Sequence, residues 1–288
     1  MYFKLNKMKK IVFLASVAAS VLVIDSCAPR VYRTSTPEAT PAPAPVPVPE
    51  PQRDSEPLGQ PKYPGTVPKV AQNTLTKEEK AAGWKLLFDG TSSDGWHAYG
   101  SKTIGTAWKI ADGVIYFDAN KDGAPKTGGD IVSDKEYGNF ELQIDWKIDK
   151  GGNSGICIYI NENKDKYNWM WSTGPEIQIV DNEGHPDGKI VKHQAGDLYD
   201  LISSKTHAEN PPLEWNTYLI RCVNGKLDVY LNKEHVVSTV MWDENWKNLI
   251  AGSKFRDMPG FGTYKVGRIG LQDHGNNVWF RNIKIREL

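Results

Sequence analysis

Cysteine is scarce in this chain: three in 288 residues, at positions 27, 157 and 222. None forms a Cys-x-x-Cys pair, which argues against a zinc site built on thiolates. The six histidines form no His-Glu-x-x-His or His-x-His pattern, so the simple metalloprotease arrangement is missing. No Gly-x-Ser-x-Gly elbow and no P-loop occurs. Neither sign of charge is in excess, with 35 basic and 35 acidic residues, so the basic surplus of a nucleic-acid binder is absent. No apolar run reaches the roughly 20 residues of a membrane span. Alternation of strands with helices is also missing, which disfavours a Rossmann or barrel enzyme. At 39% hydrophobic and 24% charged, the composition is that of a globular protein.

The averages conceal three segments. Residues 1–27 read as an export signal: Lys4, Lys7, Lys9 and Lys10 precede the apolar stretch Ile11 to Ile24. The run ends in Ile24-Asp25-Ser26-Cys27, which resembles a bacterial lipoprotein cleavage box, although Asp25 is unusual there. A lipidated Cys27 would anchor the protein in the cell envelope, periplasmic or at the cell surface; a plain secretory signal is the alternative. Residues 28–72 hold twelve of the 18 prolines, including Pro41 to Pro49, and should form an extended polyproline tether. All ten tryptophans and 24 of the 26 glycines lie in residues 73–288, enough chain for one large β domain. Without residues 1–27 the chain carries 31 bases against 34 acids, a mildly acidic balance.

Within 73–288, Thr76-Lys77-Glu78-Glu79 is a capping box that opens a short helix. Asp243 to Ala251 reads as a second helix capped by Asp243. Elsewhere, period-two alternation dominates. It predicts strands at Val114–Phe117, Phe140–Ile148, Gly155–Ile160 and Glu176–Val180, then Thr217–Val223, Leu227–Leu231, Gly267–Gln272 and Val278–Ile285. Asn224-Gly225 marks a hairpin. The pattern fits an all-β sandwich of two antiparallel sheets, jelly-roll in type, with one or two short helices.

Cys157 and Cys222 fall in strands, where cysteine is usually a small buried hydrophobe; a disulfide between them is the alternative. Asp118 to Gly123 matches the first six positions of a calcium loop, but Gly129 stands where the bidentate glutamate belongs. An Asx-rich turn is the better reading.

Chemistry concentrates where polar residues interrupt apolar strands. In Glu176-Ile177-Gln178-Ile179, the carboxylate and the amide share one face. Gln272 and His274 share a face in Leu271-Gln272-Asp273-His274. A carboxylate near an imidazole is an acid/base pair suited to neutral pH. Otherwise these residues are the polar members of a solvated strand face. Trp169 and Trp171 precede the Glu176 strand and Trp279 follows His274; indoles stack on sugar rings, or fill a core. Gly151-Gly152-Asn153-Ser154-Gly155 is a tight turn or an opening for a ligand. Lys254 is a surface charge or a cation reaching the pocket.

Five blocks occur in order: Gly83-Trp84-Lys85-Leu86-Leu87-Phe88-Asp89-Gly90, Gly151 to Gly155, Gly174-Pro175-Glu176-Ile177-Gln178, Leu271-Gln272-Asp273-His274-Gly275 and Val278-Trp279-Phe280-Arg281-Asn282-Ile283. Together they resemble the 3-keto-disaccharide hydrolase family over about residues 81–288. That resemblance implies a concanavalin-like jelly roll acting on disaccharides or glucosides whose C3 hydroxyl has been oxidised to a ketone. A C3 ketone acidifies the C2 proton, so a base can remove it and expel the C1 substituent. Water then adds to the enone, for net hydrolysis. On that resemblance Glu176 is base or acid and His274 its partner, with Gln178, Gln272 and Lys254 holding the ketone oxygen. Asp130, Asn153, Tyr199 and Trp171 are further substrate contacts. The resemblance admits a divalent cation without naming its ligands.

Two other functions compete. A non-catalytic carbohydrate-binding module is compatible with the same fold. A retaining glycosidase would need two carboxylates about 5 Å apart, and the Glu176 strand supplies only one on its inner face.

Overall fold

The computed structural model describes residues 71–119 and 128–288. The signal with Cys27, residues 28–70 of the tether, and Asn120 to Gly123 of the Asx-rich loop lie outside the described residues.

From the start of the described chain run α1 (Lys77–Ala81), β1 (Lys85–Leu86), β2 (Trp96–Ala98), β3 (Trp108–Ala111) and β4 (Val114–Phe117). Next come β5 (Ile131–Ser133), β6 (Phe140–Ile148), β7 (Asn153–Ile160) and β8 (Glu176–Val180). The remainder comprises β9 (Asn216–Val223), β10 (Lys226–Leu231), β11 (Glu234–Val240), α2 (Glu244–Ala251), β12 (Arg268–Leu271) and β13 (Val278–Glu287). Two antiparallel sheets result, as the jelly-roll expectation requires. The larger has the order β11-β10-β9-β6-β13-β4-β3, with β1 also pairing to β13. The smaller has the order β2-β5-β12-β7-β8.

Alternation explains how they pack. In β6, Phe140, Leu142, Ile144, Trp146 and Ile148 are buried in the core. Ile156, Ile158, Ile177 and Ile179 meet them from β7 and β8. Removing such side chains from water is the main stabilising term. On the other face of the large sheet, Glu141 is held between Arg221 and Arg286, and Asp145 accepts from Thr217 Oγ1 and Asn282 Nδ2.

The small sheet has a covered outer face as well. Val132, Cys157, Ile160 and Met170 form a second buried cluster there. Cys157 belongs to this cluster and Cys222 to the main core; both thiols are free. The cysteines are small buried hydrophobes, and the disulfide alternative falls. The solvated-face alternative for the Glu176 strand falls too, because all five residues of β8 are buried.

Local signals held where they were strongest. Thr76 caps α1 with both hydrogen bonds of the box, and Asp243 Oδ1 accepts from Trp246 N at the start of α2. Asn224 and Gly225 both adopt positive φ, as a type I′ hairpin requires. Strand β7 starts at Asn153 rather than Gly155, which brings the asparagine into the sheet. The short strands β1, β2, β3 and β5 carry two to four residues, too few for periodicity to register.

The first helix is fastened to the large sheet by a buried ion pair between Glu79 and Lys284. Breaking one partner of such a pair leaves a charge without compensation. Lys284→Met should therefore destabilise the protein by about 3 kcal/mol in denaturant unfolding. Adding Glu79→Gln should recover part of the loss, since glutamine keeps the capping box; no recovery would show that the pair does not hold the helix.

Candidate active site

A cavity of about 170 Å³ opens on the outer face of the small sheet. Its lining is Asn153, Trp171, Glu176, Gln178, Asp187, Tyr199, Lys254, Phe255, Gln272 and His274. Eight of the nine residues singled out from the sequence are brought together there, from five separate stretches of chain. Period two in β8 does this for Glu176 and Gln178, because Ile177 and Ile179 take the core side.

Glu176 is the most constrained group, at 6% exposed. It sits opposite Cys157 in the β7–β8 ladder, with Gly155 opposite Gln178. A Cβ on Gly155 would lie 2.1 Å from Glu176 Oε1, so only glycine leaves room for the carboxyl. Gln272 completes the seat. Its N–H donates to the Gly155 carbonyl (3.0 Å) and its carbonyl accepts from Ser154 Oγ (2.9 Å). Its Nε2 donates to Glu176 Oε2 at 3.2 Å. Burial pushes the Glu176 carboxyl up to about 8, against the pull of the Lys254 ammonium and with the repulsion of Asp130. At neutral pH it is mainly the carboxylic acid.

His274 is displaced the other way. Burial, and then the His185 ring perpendicular to it at 5.9 Å, hold its imidazole below the usual value. A protonated carboxyl and a neutral imidazole therefore line one cavity, the pattern from which acid and base roles are read.

Asp187 was not anticipated from the sequence. It lies in the short turn Pro186–Lys189, where no periodicity points to it. Its Oδ2 accepts from Asn153 Nδ2 (3.1 Å) and from the Tyr199 hydroxyl (3.4 Å). Burial pushes the Tyr199 hydroxyl up, so it remains a donor. Lys254 Nζ stands 4.0 Å from the centre of the Tyr199 ring. Phe255, also unanticipated, follows it in the wall.

Asp130 is the one expected substrate contact that is not among the lining residues. Its Oδ1 accepts from Asp273 N at 3.0 Å, beneath the loop that carries His274. Burial pushes its carboxyl up to about 7. Its place is that of a support for the His274 loop.

Three buried polar atoms of the cavity residues have no partner among the described residues: Asn153 Oδ1, Gln178 Nε2 and Gln272 Oε1. Unpaired buried amides cost free energy unless something satisfies them. Two acceptors and one donor in one small cavity suit a ligand that bears hydroxyls and a carbonyl. Among the described residues, no three His, Cys, Asp or Glu side chains are grouped to hold a metal ion.

The raised Glu176 pKa contributes to the pH dependence of stability. Below about 4.5, its ordinary value, both folded and unfolded chains hold the proton. Between there and about 8 the unfolded chain releases it and the folded chain keeps it, so stability falls with rising pH and levels off above. Relative to Glu176→Gln, the wild type should lose roughly 2–5 kcal/mol across that window in denaturant titrations. A flat difference would mean the carboxyl is ionised throughout.

The 3-keto-alpha-glucoside-1,2-lyase-like domain model matches residues 83–286 of the chain. A 3-keto-disaccharide hydrolase of Bacteroides thetaiotaomicron is 33% identical over 248 residues, which cover 78% of this chain and 86% of that protein. A solved structure of a candidate glycosyl hydrolase from Parabacteroides distasonis is 34% identical with a TM-score of 0.69, covering 76% of this chain and 100% of its own. A second such structure from the same organism is 29% identical with a TM-score of 0.54, covering 71% of this chain and 99% of its own. With most of its length matched by the family model and by a relative at this identity, the chain belongs to the 3-keto-alpha-glucoside-1,2-lyase-like domain family.

Proposed function

We propose that the protein hydrolyses 3-keto-glycosides, oxidised disaccharides or glucosides, by elimination followed by hydration. The family and its 3-keto-disaccharide hydrolase relative support the substrate class. The observation that carries the mechanism is the placement of Glu176 and His274 in one cavity lining, where burial raises the carboxyl and lowers the imidazole.

The neutral His274 takes the C2 proton, and the electron pair moves onto the C3 oxygen as an enolate. Gln178 Nε2, the buried donor without a partner, and Lys254 Nζ stabilise that oxygen. The enolate then collapses to an enone as the C1–O bond breaks, and Glu176 gives its proton to the leaving oxygen. Glu176, now a carboxylate, takes a proton from water, which adds to C1, while the His274 imidazolium returns a proton to C2. One water is consumed, the glycosidic bond is cleaved, and both groups regain their starting states.

Asp187 favours a second reading. With Glu176 it gives the cavity two carboxylates, the equipment of an ordinary glycosidase. Incubation with 3-keto-glucosides and with their unoxidised parents separates the two: release of the leaving group from the keto forms alone supports elimination, and cleavage of the parents overturns it. Glu176→Gln and His274→Ala should each lower turnover about 10²–10⁴-fold. The kcat/KM profile should rise as His274 loses its proton, below pH 6.5, and fall through about 8 as Glu176 loses its own.

We propose also that residues 1–27 export the chain and that lipid at Cys27 holds it in the cell envelope. Wild-type protein should incorporate labelled fatty acid and fractionate with membranes, and Cys27→Ser should do neither. A labelled Cys27→Ser protein would sink the assignment.

A further inference from the structure

The active-site cavity is small. Binding clefts for molecules of drug size run to about 300–1,000 Å³, and 170 Å³ admits little more than one sugar ring. A second cavity, of about 370 Å³, adjoins it. Trp171 lines both. So does the segment after α2, which supplies Lys254 and Phe255 to the first cavity and Met258, Pro259 and Gly260 to the second. Trp171 is therefore a wall common to both spaces, and the segment after α2 runs along one and then the other.

Trp169 dominates the second cavity. It is 52% exposed, yet its indole lies parallel to Trp171, 10° between planes and 5.1 Å between centres. A single exposed tryptophan would need no explanation. Here one indole backs another, and the half-exposed Trp169 lines the second cavity. Trp169 has extended backbone and precedes the turn Met170–Ser172, whose Met170 is anchored in the outer cluster. The opposite wall is equally fixed. Gly262 N donates to the Thr173 carbonyl at 2.9 Å, and Phe255 stacks on Phe261 at 3.8 Å. Such a rigid, flat, half-wet indole matches the apolar C–H face of a pyranose.

We propose that Trp169 is the platform of a second sugar subsite, holding the unoxidised hexopyranose that leaves from C1 while the keto ring occupies the Glu176 cavity. This rests on the reading above that the cavity cleaves 3-keto-glycosides. It makes disaccharides the favoured substrates over glucosides with small leaving groups, and Trp169 a determinant of that preference. Trp169 does not touch the reacting atoms.

The test compares kcat/KM for 3-keto disaccharides with kcat/KM for methyl 3-keto-glucoside. In Trp169→Ala that ratio should fall about tenfold, the value of a lost stacking contact, chiefly through KM. Trp169→Tyr should restore most of it. An unchanged ratio in Trp169→Ala overturns the subsite. A fall confined to 4-nitrophenyl 3-keto-glucoside makes the occupant a flat aglycone and overturns the sugar. A readout without any variant uses wild-type protein and N-bromosuccinimide, with oxidation mapped by mass spectrometry. Unoxidised disaccharides should shield Trp169 more than methyl glucoside does, and equal oxidation overturns the proposal. If wild-type protein cleaves no keto-glycoside, the functional reading has failed, and this shielding alone decides the subsite.

Discussion

The site depends on one constraint: a carboxyl must be buried against a β-strand without an ion-pair partner in contact. Glu176 meets that constraint by becoming protonated, which removes most of the cost of desolvation. It also needs a gap in the neighbouring strand, and Gly155 provides it. Gln272 then supplies the hydrogen bond that orients the group. Glycine, amide and carboxyl come from β7, the end of β12 and β8, so the ladder register is itself part of the site.

A sheet face that buries a carboxyl cannot face water, and the loops answer that need. The segment between β8 and β9 folds over the face through polar contacts to its own backbone. Asp197 accepts from Ser204 N and Gln194 N, and Asn182 Oδ1 accepts from Ala195 N. Asp200 ties this cover to the wall on the other side. One of its oxygens accepts from Lys254 N at 2.6 Å, and the other lies 3.1 Å from His193 Nε2. His193 in turn stacks on Tyr199 at 4.1 Å. Asp200 and Lys192 both sit in the left-handed backbone region, strain that the surrounding contacts sustain.

Much of this was legible in the sequence, for physical reasons. Long strands such as β6 and β8 alternate because each has one face in the core, and the alternation placed Glu176 and Gln178 on a common side. The capping residues Thr76 and Asp243 act locally, so they could be read locally. Asp187 and Phe255 could not, because their positions arise from how a loop crosses the sheet, and loop paths have no period. The position of Asp130 was hidden for a related reason: its carboxyl accepts from a backbone N–H 143 residues away, a partner that only the fold supplies. The burial of Glu176 was likewise hidden, since a polar residue on a strand usually faces water.

The position of β13 carries a consequence for assembly. It lies between β6 and β4 in the large sheet and also receives β1, so strands from widely separated parts of the chain meet on it. Nothing synthesised before Val278 can complete that sheet. Until then β4 and β6 keep open edges, and every pairing made by β13 closes a loop of a hundred residues or more. Completion of the large sheet therefore waits for nearly the whole domain, and pairings between residues so distant in sequence slow folding.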